Sequence, residues 1–124
     1  MTDLKTIAET LVTHCRTETT REGLDTLYAE DAVSVEAMTG PGMENRETAG
    51  RAAIHAKHDW WEGAMEVHSH SADGPYLHGD DQFAVIFEMD VTERANGQRM
   101  QMKEVGVYTV AGGNIVREAF YYTM

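Results

Sequence analysis

Cysteine is nearly absent from this chain. Cys15 is the single thiol in 124 residues, so no internal disulfide can form, which fits a reducing, cytoplasmic setting. Basic residues are scarce as well: 10 Lys and Arg stand against 21 Asp and Glu, a formal net charge of -11. Nucleic acid and anionic membranes both require a basic surface, so neither is an expected partner. No apolar run approaches the ~20 residues that span a bilayer. The first residues lack the basic start and apolar stretch of an export signal, and none is expected. Also missing are a Gly-rich phosphate loop ahead of a helix and a Gly-x-Ser-x-Gly nucleophile string. No cofactor is therefore expected, and Cys15, inside a helical pattern, reads as a small buried hydrophobe. With no repeat and no low-complexity segment, residues 1–124 read as one domain, long enough for a substantial core.

What is present is concentrated in the last third. Asn96-Gly97 and Gly112-Gly113 are hairpin signals, because these residues accept positive φ. They separate Phe83–Val91, Met100–Val110 and Ile115–Met124, runs rich in Val, Ile, Phe and Tyr, as strands prefer. Two-residue loops at both turns set Met89 opposite Glu104 and Val85 opposite Tyr108, then Tyr108 opposite Arg117 and Glu104 opposite Tyr121. Side chains alternate across a sheet, so Phe87, Met89, Met102, Glu104, Tyr108 and Tyr121 share one mostly apolar face. The other carries Glu88, Asp90, Lys103, Glu118 and Tyr122, with Asp90 opposite Lys103 as a supporting pair. Glu104 is the odd residue. An ionised carboxylate among apolar side chains is costly, and burial raises its pKa. It lies either in that interior or at the sheet rim, solvated or paired with Arg117. A three-residue second loop would turn over every side chain of the last strand.

Upstream, Leu4, Ile7, Ala8, Leu11, Val12 and Cys15 fall at helical spacing and predict a helix over 3–18, capped by Thr2 or Asp3. Arg21–Tyr28 predicts a second helix, Ala32–Glu36 a short strand, and 38–47 a loop broken at Gly40-Pro41-Gly42. A third helix runs from Thr48 or Gly50 to Glu62, ended by Gly63. Ile54, His58 and Trp61 lie on one of its faces, with Lys57 and Trp60 beside them. Trp60 and Trp61 are adjacent and cannot both face inward. Met65–Leu77 is a further strand, bent at Asp73-Gly74-Pro75. Helices in the first half and an antiparallel sheet in the second make an α+β domain. His68 and His70 alternate along one strand, a spacing that can hold a metal. A site needs a third convergent ligand and a supporting shell, which the sequence does not supply, so no metal ligand is assigned.

Three strings carry a resemblance: Leu27-Tyr28-Ala29-Glu30-Asp31-Ala32 ahead of a strand, Gly50-Arg51-Ala52-Ala53-Ile54 opening a helix, and Glu104-Val105-Gly106-Val107-Tyr108-Thr109-Val110 followed by Gly113-Asn114-Ile115-Val116. In that order they resemble the nuclear transport factor 2-like superfamily, its SnoaL-like and ketosteroid-isomerase-like branches above all. The resemblance implies a cone, cystatin-like, in which a strongly curved antiparallel sheet wraps around three helices. It implies a small-molecule pocket in the open end and a homodimer formed through the outer sheet face. It also implies a general base on the strand after the Tyr-Ala-x-Asp-Ala string, where this chain has Glu36. A carboxylic acid kept neutral to donate to an oxyanion falls at Glu104. The chain departs from the steroid isomerases in using Glu for both acids and in having no tyrosine at Val12-Thr13-His14-Cys15. Tyr121, opposite Glu104 by the count above, would supply a phenol instead.

Two carboxylates in one apolar pocket suit proton transfer beside a carbonyl, one ionised to take the proton and one protonated to stabilise the enolate oxygen. On this reading Glu36 is the base, Glu104 the acid and Tyr121 a third catalytic group. Ile54, His58, Trp61, Phe87, Met89, Met102 and Tyr108 line the pocket. The expected function is cofactor-free proton transfer, isomerase-, cyclase- or dehydratase-like, on a small apolar carbonyl compound. Two other functions fit the same residues: a non-catalytic ligand-binding or dimerisation module, and a metal-dependent enzyme using His68 and His70.

Overall fold

The computed structural model describes residues 3–40 and 43–123. Thr2, the Pro41-Gly42 step and Met124, read above as a cap, a loop break and a strand end, lie outside the described residues. Helix α1 (Leu4–Arg16) begins where Asp3 Oδ1 accepts the Thr6 N–H at 2.8 Å, an N-cap that satisfies a donor the helix cannot. Helix α2 (Thr20–Leu27) stops one residue earlier than expected, because Tyr28 is already extended and opens strand β1 (Tyr28–Val35). A three-residue strand, β2 (Glu47–Ala49), pairs antiparallel with β1 inside the stretch read as loop. Nothing in Glu-Thr-Ala alternates apolar with polar, so only the partner strand defines it. Gly50, at φ 95, supplies the positive backbone angle that enters α3 (Arg51–Ala64). That helix runs through Gly63 and passes directly into β3 (Met65–His78), followed by β4 (Gln82–Glu93), β5 (Gln98–Ala111) and β6 (Asn114–Tyr121).

The six strands form one sheet in the order β2-β1-β6-β5-β4-β3. Strands β3 to β6 are an antiparallel meander, as expected, while β6 runs parallel to β1. The last strand therefore sits inside the sheet, and Ser34 lies beside Glu118. Register shifts at Val67/Ser69 and Asp73/Tyr76 in the β3–β4 ladder, and at Thr109/Val110 in the β5–β6 ladder, add residues to one strand and bend it. No helix among the described residues is long and apolar enough to cross a membrane.

Both hairpins correct the expected register. The first pairs Glu93 with Gln98, so the loop has four residues, with Gly97 N–H on Glu93 O at 2.8 Å and Gln98 N–H on Asn96 Oδ1 at 2.9 Å. Each partner shifts by two: Glu104 faces Phe87 and Met102 faces Met89. An even shift leaves every side chain on its face. Asp90 consequently faces Gln101, and reaches Arg99 with two hydrogen bonds. The second hairpin has its two-residue loop, but beyond Val110↔Ile115 the pairing resumes at Thr109↔Arg117. This odd shift turns the rest of β6 over. Glu118 now joins Tyr108 and Phe120 joins Gly106 on the concave side, and Tyr121 pairs with Val105 and is 57% exposed. Tyr121 is thus not opposite Glu104.

The core lies between the concave face and the helices. Phe83, Val85, Tyr108 and Ile115 pack against Ile7, Val12, Leu24 and Ile54, each large side chain contributing about 1.5–3 kcal/mol by leaving water. Phe83 stacks on Tyr108, and Tyr108 meets Phe120 edge-on. Gly106 makes this possible: a Cβ there would stand 3.0–3.2 Å from the rings of Tyr108, Phe87 and Phe120.

Candidate active site

The site begins where β1 ends. Ser34 is fully buried, and Glu36 follows one residue beyond the strand, its N–H on Arg46 O at 2.9 Å. Lys57 comes from α3, three residues after Ile54, so the turn that seats Ile54 in the core also aims Lys57 at β1. Its Nζ donates to Ser34 Oγ at 2.5 Å and to Glu36 Oε1 at 2.7 Å. The ammonium also lies 5.5 Å from the centre of the Phe120 ring, within cation–π range. Glu36 Oε2 accepts from Tyr122 OH at 3.1 Å.

Behind this pair sits Glu118, 1% exposed. Its Oε2 accepts from Ser34 Oγ at 2.6 Å, and its Oε1 accepts from the Tyr28 phenol. A carboxyl group so deep is costly unless donors satisfy it, and these two hydroxyls do. No side-chain N or O atom among the described residues is buried without a partner. Tyr28, Glu118, Ser34, Lys57, Glu36 and Tyr122 therefore form one continuous chain of hydrogen bonds.

Glu104 stands apart from that chain. It is half-buried on the concave face of β5. Burial pushes its carboxyl from the ordinary 4.5 up to about 7, with Glu36 and Glu118 adding to the rise and Lys57 opposing it. The Tyr122 phenol is pushed to about 12 by burial and by Glu36, so it keeps its proton and donates. His58, on the α3 face that carries Lys57, is held below its ordinary range by burial, against the pull of Glu118. Glu104 and Tyr122 line a cavity of about 300 Å³ together with Met100 and Met102. Glu36 and Tyr122 open onto an adjoining groove of about 890 Å³ that runs outward past Arg46 and Arg117.

Of the expected site residues, Glu36 and Glu104 come together around Tyr122. Met102 lines the cavity, with Met89 across the ladder from it. Phe87 packs on the core edge opposite Glu104. Ile54 and Tyr108 are 0% and 3% exposed, inside the core, and line neither the cavity nor the groove described above. Trp61 is half-buried and Trp60 faces outward. Tyr121 lies on the far side of the strand from Glu104, and the inward phenol is that of Tyr122. Ser34, Lys57, Glu118 and Tyr122 were not anticipated, and Tyr28 only as the end of the second helix. Spacing from Ile54 marks Lys57, whereas the β6 bulge that turns Glu118 and Tyr122 inward leaves no mark in the sequence.

The two histidines of the metal reading diverge. His68 falls in the β3 register shift and meets Thr92, while His70 meets Glu18 beyond α1. Among the described residues no group of three His, Cys, Asp or Glu is placed to hold a metal ion.

A curved sheet on three helices, with carboxyl groups on its concave side, defines an α+β cone. The sequence profile of the SnoaL-like domain matches residues 2–122, and the chain belongs to that family, within the nuclear transport factor 2-like superfamily. A Mesorhizobium loti structure described as a SnoaL-like polyketide cyclase is 40% identical, with a TM-score of 0.89 over 98% of this chain and 100% of that one. More distant structures share the fold alone. The Δ5-3-ketosteroid isomerase of a Mycobacterium species is 18% identical, with a TM-score of 0.73 over 100% of this chain and 95% of that one. A Mycobacterium tuberculosis protein in complex with estradiol-17β-hemisuccinate is 20% identical, with a TM-score of 0.74 over 95% and 92%. No functionally curated protein matches the chain.

Proposed function

We propose that the concave site performs cofactor-free proton transfer on a small, largely apolar carbonyl compound, with Glu36 as base and Glu104 as acid. The observation that carries this is the unlike treatment of two neighbouring glutamates. Glu36 receives an ammonium and a phenol, partners that fit a carboxylate anion. Glu104 has apolar neighbours and two nearby negative charges, and holds its proton up to about pH 7. That pairing is what removal of a proton beside a carbonyl requires: an acceptor for the proton and a donor for the oxygen that gains charge. Tyr122, between the two glutamates, gives its one proton to Glu36 Oε2 and so supports Glu36 as the base. A cavity of about 300 Å³ sits at the small end of ligand pockets, and the methionines give it an adaptable apolar wall.

The reaction can be tested before the substrate is known. In deuterium oxide, a base that removes protons beside carbonyls exchanges them, and proton NMR of a panel of small cyclic and open-chain ketones reads the exchange. The expected result is catalysed exchange for some of them, lost in Glu36→Gln and falling in the wild type as pH rises above about 7, where the Glu104 acid form disappears. Exchange that survives Glu36→Gln refutes the assignment. Ligand binding with no exchange for any compound would make the site a receptor instead.

A further inference from the structure

Glu118 has no part in the proton transfer described above, and its burial at 1% exposure keeps substrate away from it. A buried carboxyl in such a place gives the fold little that an apolar side chain would not. Its contacts show its use. Glu118 accepts from Ser34, Ser34 accepts from Lys57, and Lys57 donates onward to Glu36. A serine hydroxyl has one proton and two lone pairs. With the proton committed to Glu118, Ser34 can only be an acceptor toward the ammonium. Lys57 rides on a flexible four-carbon stem, so its place is set by these two contacts together.

The groups around Glu118 do not compete for it as cations. Tyr28 from β1 and Tyr108 from β5 have phenols raised well above the ordinary range, Cys15 from α1 is pushed up to about 12, and His58 from α3 is held low by burial. Glu36 faces Lys57 from α3, Tyr122 from the end of β6 and Glu104 from β5. Lys57 is the cation these carboxyl groups share.

We propose that Glu118 is a positioning residue: through Ser34 it docks the Lys57 ammonium on Glu36, making Glu36 the ionised partner and leaving Glu104 as the carboxylic acid. The division of roles rests on the acid/base reading of the site, whereas the docking stands on the contacts alone. The chain has three lysines, and the side-chain exposures of Lys5, Lys57 and Lys103 are 72%, 20% and 68%. Limited acetylation of the free protein, read by mass spectrometry, therefore follows Lys57 against two internal references. In the wild type Lys57 is expected to react at least about tenfold more slowly than the references, the factor one charge-assisted hydrogen bond supplies. Ser34→Ala and Glu118→Gln should each remove most of that gap without changing Lys5 or Lys103, while Glu36→Gln should leave Lys57 partly protected by Ser34. A Lys57 as reactive as Lys5 in the wild type overturns the docking. So does one that stays protected in both folded variants, or one fully exposed by Glu36→Gln alone.

Carboxyl carbon NMR adds a second readout and decides the matter if Ser34→Ala or Glu118→Gln fails to fold. Lys57→Met should move the Glu104 midpoint upward from about 7, because the opposing cation is gone; an unmoved midpoint overturns the proposal. Neither measurement uses substrate. A protein without exchange activity but with a docked Lys57 would sink the proposed reaction alone, and active protein with a freely reactive Lys57 would sink the docking alone.

Discussion

Replacing Glu104 with Gln removes a titratable proton and keeps the shape, which makes the effect of burying this carboxyl measurable. The folded group titrates near 7 and the unfolded one near 4.5. Between those values the native state binds more protons than the unfolded chain, so the wild type loses stability as pH rises through this window. Worked through the linkage relation, the penalty is about 1 kcal/mol at pH 5 and about 3 kcal/mol at pH 8, with 1.36 kcal/mol for each unit of separation. A glutamine carries no such dependence. The stability of Glu104→Gln relative to wild type should therefore rise by about 2–2.5 kcal/mol between pH 5 and pH 8. Urea unfolding followed by the fluorescence of Trp60 and Trp61 gives that double difference, in which titrating groups remote from Glu104 cancel. For typical urea slopes it corresponds to a relative midpoint shift of about 1–2 M. An equal difference at both pH values for Glu104→Gln would mean an ordinary solvated carboxylate, and the acid role would go with it.

Two further substitutions probe the frame around the site. Tyr28→Phe removes the phenol that satisfies Glu118 Oε1 and should destabilise the fold by about 1–3 kcal/mol in urea, the cost of a buried acceptor losing its donor; a change under about 0.5 kcal/mol would show that another donor takes over. Gly106→Ala inserts a methyl 3.0–3.2 Å from three aromatic rings and should lower the thermal midpoint by several degrees, a loss of about 1–3 kcal/mol from overpacking. An unchanged midpoint would show that Phe87 and Phe120 yield without cost.

Legibility in the sequence followed the periods of the elements. The α1 stripe, its Asp3 cap, the Ile54 face and the meander were all readable, because each is fixed by neighbours within a few residues. Strand β2 was not, since Glu47–Ala49 exists only by pairing with β1. The Asn96-Gly97 signal located the first turn but not its length, and the four-residue loop cost two places of register without changing any face. The second turn shows the opposite case. Its length was right, yet one extra residue in β6, just beyond it, reversed every side chain that follows.

That reversal is what makes the site. Had β6 kept the plain alternation, Arg117 and Tyr121 would look inward with Glu104, and Arg117, as a cation beside Glu104, would favour its ionised form. With the bulge, Arg117 turns outward and Glu118 takes an inward place one residue later. The concave surface then holds three glutamates and one lysine, Lys57, whose hydrogen bonds go to Glu36 and Ser34 and not to Glu104. The Lys57 ammonium serves Glu36 and the hydroxyls of Tyr28 and Ser34 serve Glu118, and Glu104, outside that chain of hydrogen bonds, is the carboxyl that keeps a proton near neutrality. The chemistry proposed for Glu104 is in this sense decided on a neighbouring strand, by a single residue that carries no chemistry of its own.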